Sequence, residues 1–253
     1  MKLGLDEYAH LDSPLHRWEP RSKLLGLSSL ILAYTFVEDW RLLLPTVAIT
    51  ALIYWLSQLP FSFWLQRIRY PGVFLLGIVL ILPFASGETV WLRLGPIALY
   101  AEGVQGMILI ASRFLAIVTV ALVLFGTGSF LSTVEAMRSL GLSPILADMM
   151  LLFYRYLFEI GDRLKTMQMA MRLRGFQPHK LSPRNLTLLA SLAGTLLIRS
   201  YEQSEQVYRA MLLRGYGRIR QNRDRQPIRL PDAIALSAVA IVAISLIVLQ
   251  WQL

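Results

Sequence analysis

Apolar residues in this chain gather into long runs. Residues 24–37, 42–57, 71–85, 104–125 and 233–250 are almost wholly apolar, and a helix needs about 20 such residues to cross the hydrocarbon of a bilayer. The first two runs are a little short, but Trp18 and Trp40 extend them to the interfaces and Glu38-Asp39 makes an acidic turn between them, which predicts a membrane hairpin. Arg17, Arg21 and Lys23 precede the first run and place its start in the cytoplasm. The stretch 60–70, PFSFWLQRIRY, carries Arg67 and Arg69 and predicts a return loop on that side. Residues 71–85 then cross outward. In 88–103, ETVWLRLGPIALYAEG, apolar and polar residues alternate around Gly95-Pro96, which predicts a small outer β-hairpin. The run 104–125 crosses back and contains Arg113, the one strong charge well inside a span. A charge at that depth is costly, so it is either satisfied by carbonyls of a neighbouring helix or functional.

From residue 126 the pattern becomes amphipathic. Ser132 with Glu135 three residues on is a capping-box signature opening a short helix that Gly141 closes. Ser143-Pro144 opens a longer one running to Arg174, with Ile160, Leu164, Met167 and Met171 in a single apolar stripe and Arg174 on its extension. Its first part, residues 145–158, either dips into the membrane or lies along its surface. Pro178 and Pro183 break the chain, 186–198 is apolar but short, and a second polar helix runs from Tyr201 to Arg214, with Tyr201, Tyr208, Met211 and Arg214 along one side. The linker GRIRQNRDRQPIRLP leads to the last span. The predicted fold is all-α: a polytopic membrane protein of about five transmembrane helices with a cytoplasmic helical coupling domain. Residues 1–125 hold the N-terminal segment and four spans, 126–230 the cytoplasmic domain and 231–253 the last span, which leaves the C-terminus outside.

The two polar helices close on the same words. Residues 170–176 read AMRLRGF and residues 210–216 read AMLLRGY, so Ala-Met-x-Leu-Arg-Gly-aromatic recurs after 40 residues. Glycine just past a helix adopts the left-handed conformation that ends it, and a cation in the last turn suits the helix dipole. Two well-capped helices would explain either copy. Repetition points further, to Arg174 and Arg214 as paired projecting cations that dock into acidic grooves on partner subunits. Ala170, Met171 and Gly175 belong to the first site, and Ala210, Met211 and Gly215 to the second.

Composition agrees with a membrane protein. Of 253 residues 55% are hydrophobic and 16% charged, and mean hydropathy is +0.53. Residues 155–229 hold 15 arginines or lysines against 5 acids, a net of +10 in a chain whose total is +9. A basic block can bind nucleic acid, but here apolar spans flank it and no aromatic-basic interleaving marks a binding platform. The positive-inside rule explains it better. With no cysteine there is no disulfide, thiol nucleophile or thiolate metal site. The first residues lack the apolar core of a signal peptide. No Walker A, HExxH or GxSxG pattern occurs, and His10, His16 and His179 stand singly in polar segments, more like surface residues than a metal site.

The chain resembles the transmembrane component of energy-coupling factor ABC transporters, the CbiQ/EcfT family, and within it the cobalt-transport CbiQ branch. The resemblance begins at residues 12–25 (DSPLHRWEPRSKLL), continues through 93–103 and 137–142, and is densest over 153–176 and 194–217. The two arginine-glycine motifs resemble the family's paired Ala-Arg-Gly signatures, with Leu173 and Leu213 where alanine is usual, a change expected to alter packing beside each arginine. The resemblance implies a non-catalytic scaffold in a prokaryotic cell (inner) membrane. Its partners would be two ABC ATPase subunits, a substrate-binding membrane subunit and membrane lipid, with no nucleic acid. No cofactor would be bound by this chain, ATP and magnesium being held by the ATPases. Cobalt or nickel ions are the implied cargo, and a vitamin-like micronutrient is the alternative within the class. Outside it stand an intramembrane enzyme using Arg113 to hold an anionic substrate, and an anchor whose basic block binds anionic lipid.

Overall fold

Cooperative runs of apolar residues without internal breakers favour helix over most of the chain, and the computed structural model is built of them. It describes Tyr8 and residues 11–85, 90–94, 97–177, 182–217 and 229–252. His10, the Gly95-Pro96 turn, Pro178, His179 and linker residues 218–228 lie outside the described residues. In order come α1 (Pro14–Arg17), α2 (Pro20–Thr35), a 3₁₀ turn (Trp40–Leu42), α3 (Leu43–Ser57), α4 (Phe61–Ala85), β1 (Val90–Leu94), β2 (Ile97–Tyr100), α5 (Ala101–Gly126), α6 (Phe130–Ser139), α7 (Pro144–Leu173), α8 (Pro183–Leu213) and α9 (Leu230–Gln252). β1 and β2 pair antiparallel, Leu94 opposite Ile97. Contacts divide the chain into two units, residues 2–142 with 227–253, and residues 143–226.

In the first unit four stretches are long and apolar enough to cross a membrane: Trp40–Ser57, Phe61–Pro83, Glu102–Gly126 and Leu230–Gln252. The fifth helix of this bundle, α2, has only 16 residues, about 24 Å at the helical rise. Yet α2 lies at the centre. Its Leu27, Leu30, Ala33 and Tyr34 are fully buried with Val120 and Val123 of α5 and Ala243 and Leu246 of α9. It also runs the length of α9. At one end the Glu19 amide donates to Asp232 Oδ1 at 3.2 Å, and at the other the Glu38 and Asp39 amides donate to Gln250 Oε1 at 3.0 and 3.3 Å. From Asp232 to Gln250 an α-helix rises about 27 Å, so α2 with the three residues after it spans the thickness that α9 spans.

The end of the bundle holding Glu19 is closed by a buried cation. Lys23, 4% exposed, donates from Nζ to the Thr127 carbonyl (3.1 Å), Thr127 Oγ1 (3.2 Å) and the Leu15 carbonyl (3.4 Å), fixing α1 and the end of α5 to α2. On α1, His16 Nε2–H donates to the Tyr8 carbonyl at 2.9 Å, so Nδ1 accepts from Ser13 Oγ–H at 2.6 Å. Burial lowers the pKa of His16, which favours this neutral tautomer.

Several expectations need correction. Residues 60–70 are not a loop but the first turns of α4, because Phe63 packs against Gly126 and Tyr8, and Trp64 Nε1 donates to Thr119 Oγ1 at 2.9 Å. The helix carries Pro71 and Pro83 inside it. The N-cap of α6 is Ser129, whose hydroxyl accepts from the Ser132 amide at 3.2 Å, and Ser132 lies in the first turn. Residues 186–198 and the second polar helix form one continuous helix, α8. By contacts α6 goes with the first unit, since it packs on α2.

Candidate functional site

Residues 143–226 are built on α7 and α8, and three polar links set the pairing of these helices. In the middle, Glu159 Oε1 accepts from Gln203 Nε2 at 3.1 Å and from Arg163 Nη2 at 2.6 Å. Near the start of α7, Asp148 Oδ2 accepts from the Tyr216 hydroxyl at 3.1 Å. In the first turn of α8, Asn185 Nδ2 donates to the Gln177 carbonyl at 2.8 Å. Each helix therefore braces, with its beginning, the end of the other. The pair is antiparallel, since the partners fall along α8 in the reverse of their order along α7.

Both repeats end their helices identically. Arg174 is the C-cap of α7 with φ −89 and ψ 13, and Arg214 the C-cap of α8 with φ −85 and ψ 9. The arginine amides donate to the carbonyls of Ala170 and Met171, and of Ala210 and Met211. Gly175 and Gly215 follow in the left-handed region at φ +86 and +82. The Phe176 amide then reaches back to the Met171 carbonyl at 3.1 Å and the Tyr216 amide to Met211 at 3.0 Å, while the glycine amides donate to Arg172 and Leu212 at 3.0 Å. This is the Schellman closure, and it satisfies the carbonyls a helix end leaves orphaned. A third helix stops the same way: after α6, Gly141 has φ +117 and the Leu142 amide donates to Met137 at 3.0 Å. There the C-cap is Leu140. Methionine and glycine thus belong to the stop, and arginine at the cap is what sets two of the three apart.

Arg174 and Arg214 are exposed and form no ion pair among the described residues. Ala170, Ala210 and Gly175 are also exposed, while Met171, Met211 and Gly215 are half-buried. Leu173 and Leu213 are 83% and 90% exposed, so the two leucines do not alter internal packing and lie instead as bare apolar surface beside each cation. Because α7 and α8 are antiparallel and α8 has 31 residues, the two guanidinium groups stand at opposite ends of the pair, on the order of 40 Å apart. The sequence placed the repeats on two helices but gave no sign of this separation.

Between the first half of α7 and the second half of α8 runs an apolar groove of about 520 Å³, lined by Met149, Tyr156, Ile160, Val207, Tyr208 and Met211 among others. The stripe read from Ile160 onward continues upstream through it. Tyr208 and Met211 line it, whereas Tyr201 points away at 69% exposure.

Arg113 lies midway along the candidate span Glu102–Gly126. Its Nη1 donates to the carbonyl of Thr35, the last residue of α2, at 3.4 Å. This puts the cation at a helix C-terminus, where the dipole favours it, and level with the end at which α9 meets Glu38 and Asp39. The first twelve residues of α5, Ala101 to Ser112, continue beyond it. A neighbouring helix's carbonyl accounts for its position, although Nε has no partner among the described residues.

A family model described as "Cobalt transport protein", CbiQ, matches residues 12–225. The chain belongs to the CbiQ family. Curated relatives agree: it is similar to proteins named energy-coupling factor transporter transmembrane protein EcfT. The one from Limosilactobacillus fermentum is 27% identical over 94% of this chain and 93% of its own. Those from Streptococcus equi subsp. equi and Thermanaerovibrio acidaminovorans are 28% and 29% identical, each over 98% of this chain and 97% of its own. As a CbiQ-family protein the chain is a multi-pass membrane component of a transporter and not an enzyme.

Proposed function

We propose that this protein is the transmembrane scaffold of an energy-coupling factor importer. In it Arg174 and Arg214 each enter an acidic groove on one of two ABC ATPase subunits, and the α7–α8 pair passes their ATP-driven closure to a separate substrate-binding membrane subunit. The observation that carries this reading is the matched pair of C-caps, each presenting an exposed guanidinium with no ion pair among the described residues. One cation would suit one partner; two at opposite ends of an antiparallel pair suit two. Guanidinium meets carboxylate in a planar bidentate pair that lysine cannot reproduce. The names of the relatives support the same role. ATP and magnesium belong to the ATPases, and this chain holds no cofactor of its own.

The orientation that follows puts the N-terminus and residues 143–226 in the cytoplasm of a prokaryotic cell, as the basic block requires. Cobalt or nickel is the proposed cargo, on the family's description. The EcfT names of the relatives favour a second reading, another micronutrient such as a vitamin. Co-purification from native membranes decides between them: two ATPases and a small membrane subunit should accompany the tagged chain, and the small subunit identifies the cargo. A chain recovered alone would overturn the scaffold reading.

A further inference from the structure

A second groove, of about 510 Å³, opens on the bundle where α1, α2, α3 and α9 meet at the end carrying the Glu19–Asp232 bond. Its walls are apolar, formed by Leu15, Leu27, Ile53, Leu56, Ala235 and Val239. Its mouth is not. Arg17 and Arg229 stand there with the single acid Asp232, which is 8% exposed and already accepts the Glu19 amide. Two guanidiniums against one carboxylate leave a net charge of +1 at the rim. Trp18, 8% exposed, also lines the groove, and its Nε1 has no hydrogen-bond partner among the described residues. Among the described residues Arg17 pairs only with Asp12, at 4.0 Å and with both side chains largely solvent-exposed, a pair too weak to hold the side chain against a better anion.

The groove lies along membrane helices, with its charge at one end of them and its apolar walls running toward their middle. That is the shape of a phospholipid: a phosphate at the interface and a chain alongside the helices. We infer that this groove is a binding site for one anionic phospholipid of the surrounding bilayer. Arg17 and Arg229 hold its phosphate, and an acyl chain lies between α3 and α9 over Leu27. Basic pockets between transmembrane helices favour anionic headgroups in this way. Net charge decides the headgroup class. A zwitterionic lipid leaves the rim's excess positive charge uncompensated, whereas a singly anionic one neutralises it. The bound lipid bridges α1 and α3 to α9.

The test is native mass spectrometry of the full chain titrated with phosphatidylglycerol, phosphatidylcholine or phosphatidylethanolamine. Wild type should retain one phosphatidylglycerol in preference to the other two. Arg17→Ala/Arg229→Ala should weaken that binding about thirtyfold, roughly fivefold per cation. Arg67→Ala/Arg69→Ala, which removes two arginines from α4 near the same end of the bundle, should leave it unchanged. Ala238→Trp fills the groove without touching its charge and should abolish retention of the lipid. Three results would overturn the site: equal phosphatidylglycerol affinity in wild type and Arg17→Ala/Arg229→Ala, no headgroup preference or preference for a zwitterionic lipid, or unchanged retention in Ala238→Trp.

Discussion

Replacing Gly215 by alanine isolates the contribution of the helix stop that presents Arg214. The glycine has φ +82, in the left-handed region, and among the described residues nothing lies within 4 Å of where a Cβ would stand. No steric clash enters, so the penalty is that of the backbone alone, about 1–2 kcal/mol for an L-residue. Asparagine tolerates the region better and should cost less. The loss is local: it falls on the Tyr216 amide bond to Met211 and the Gly215 amide bond to Leu212, which open as the end frays. Hydrogen exchange at the Tyr216 amide should accelerate about tenfold for each 1.4 kcal/mol. If the ATPase binds only the closed end, its affinity should fall up to about tenfold in Gly215→Ala and less in Gly215→Asn. Alanine and asparagine both behaving as glycine in exchange and binding, or exchange accelerating equally through α2 and α5, would show that the left-handed glycine does not hold this helix end.

Two further predictions follow from buried or bridging polar groups. Lys23→Ala leaves the Leu15 and Thr127 carbonyls sealed without a donor and should destabilise the bundle by about 2–5 kcal/mol, read as a large drop in thermal midpoint in detergent; a drop no larger than that of the exposed Lys165→Ala would refute the clamp. Asp148→Ala and Tyr216→Phe should each weaken the hold on the second motif by about 1 kcal/mol, with the double variant no worse than either single one in ATPase affinity, whereas additive losses would show that the two side chains act separately.

The apolar runs made most of the membrane fold legible, because burial in lipid needs only length and hydropathy. The runs misled where packing decides: Arg67 and Arg69 look like loop charges, yet Phe63 and Trp64 between them and the preceding turn anchor a helix. Arg113 stands midway along its own apolar run, but the carbonyl that accepts from it belongs to Thr35 of α2, a long-range partner no sequence pattern marks. The stops at Gly141, Gly175 and Gly215 were readable from glycine and its flanking residues. What sequence could not give was the antiparallel pairing of α7 and α8, since Asp148–Tyr216 and Glu159–Gln203 are long-range bonds between residues with no shared pattern. The exposure of Leu173 and Leu213 was hidden for the same reason: an apolar residue in an amphipathic helix is ordinarily assigned to a packed face.

In the proposed function two arginines at opposite ends of one helix pair hold two ATPase subunits. It is tested most directly by measuring ATPase binding to the membrane-reconstituted chain for wild type, Arg174→Ala, Arg214→Ala, Arg174→Lys and the double alanine variant. Losing one partner of a desolvated charge pair removes about 2–5 kcal/mol, so each single alanine variant should bind one ATPase normally and the other at least about thirtyfold more weakly. Lysine should rescue little, and the double variant should bind neither. Unchanged binding of both subunits in the double variant would show that neither arginine holds an ATPase.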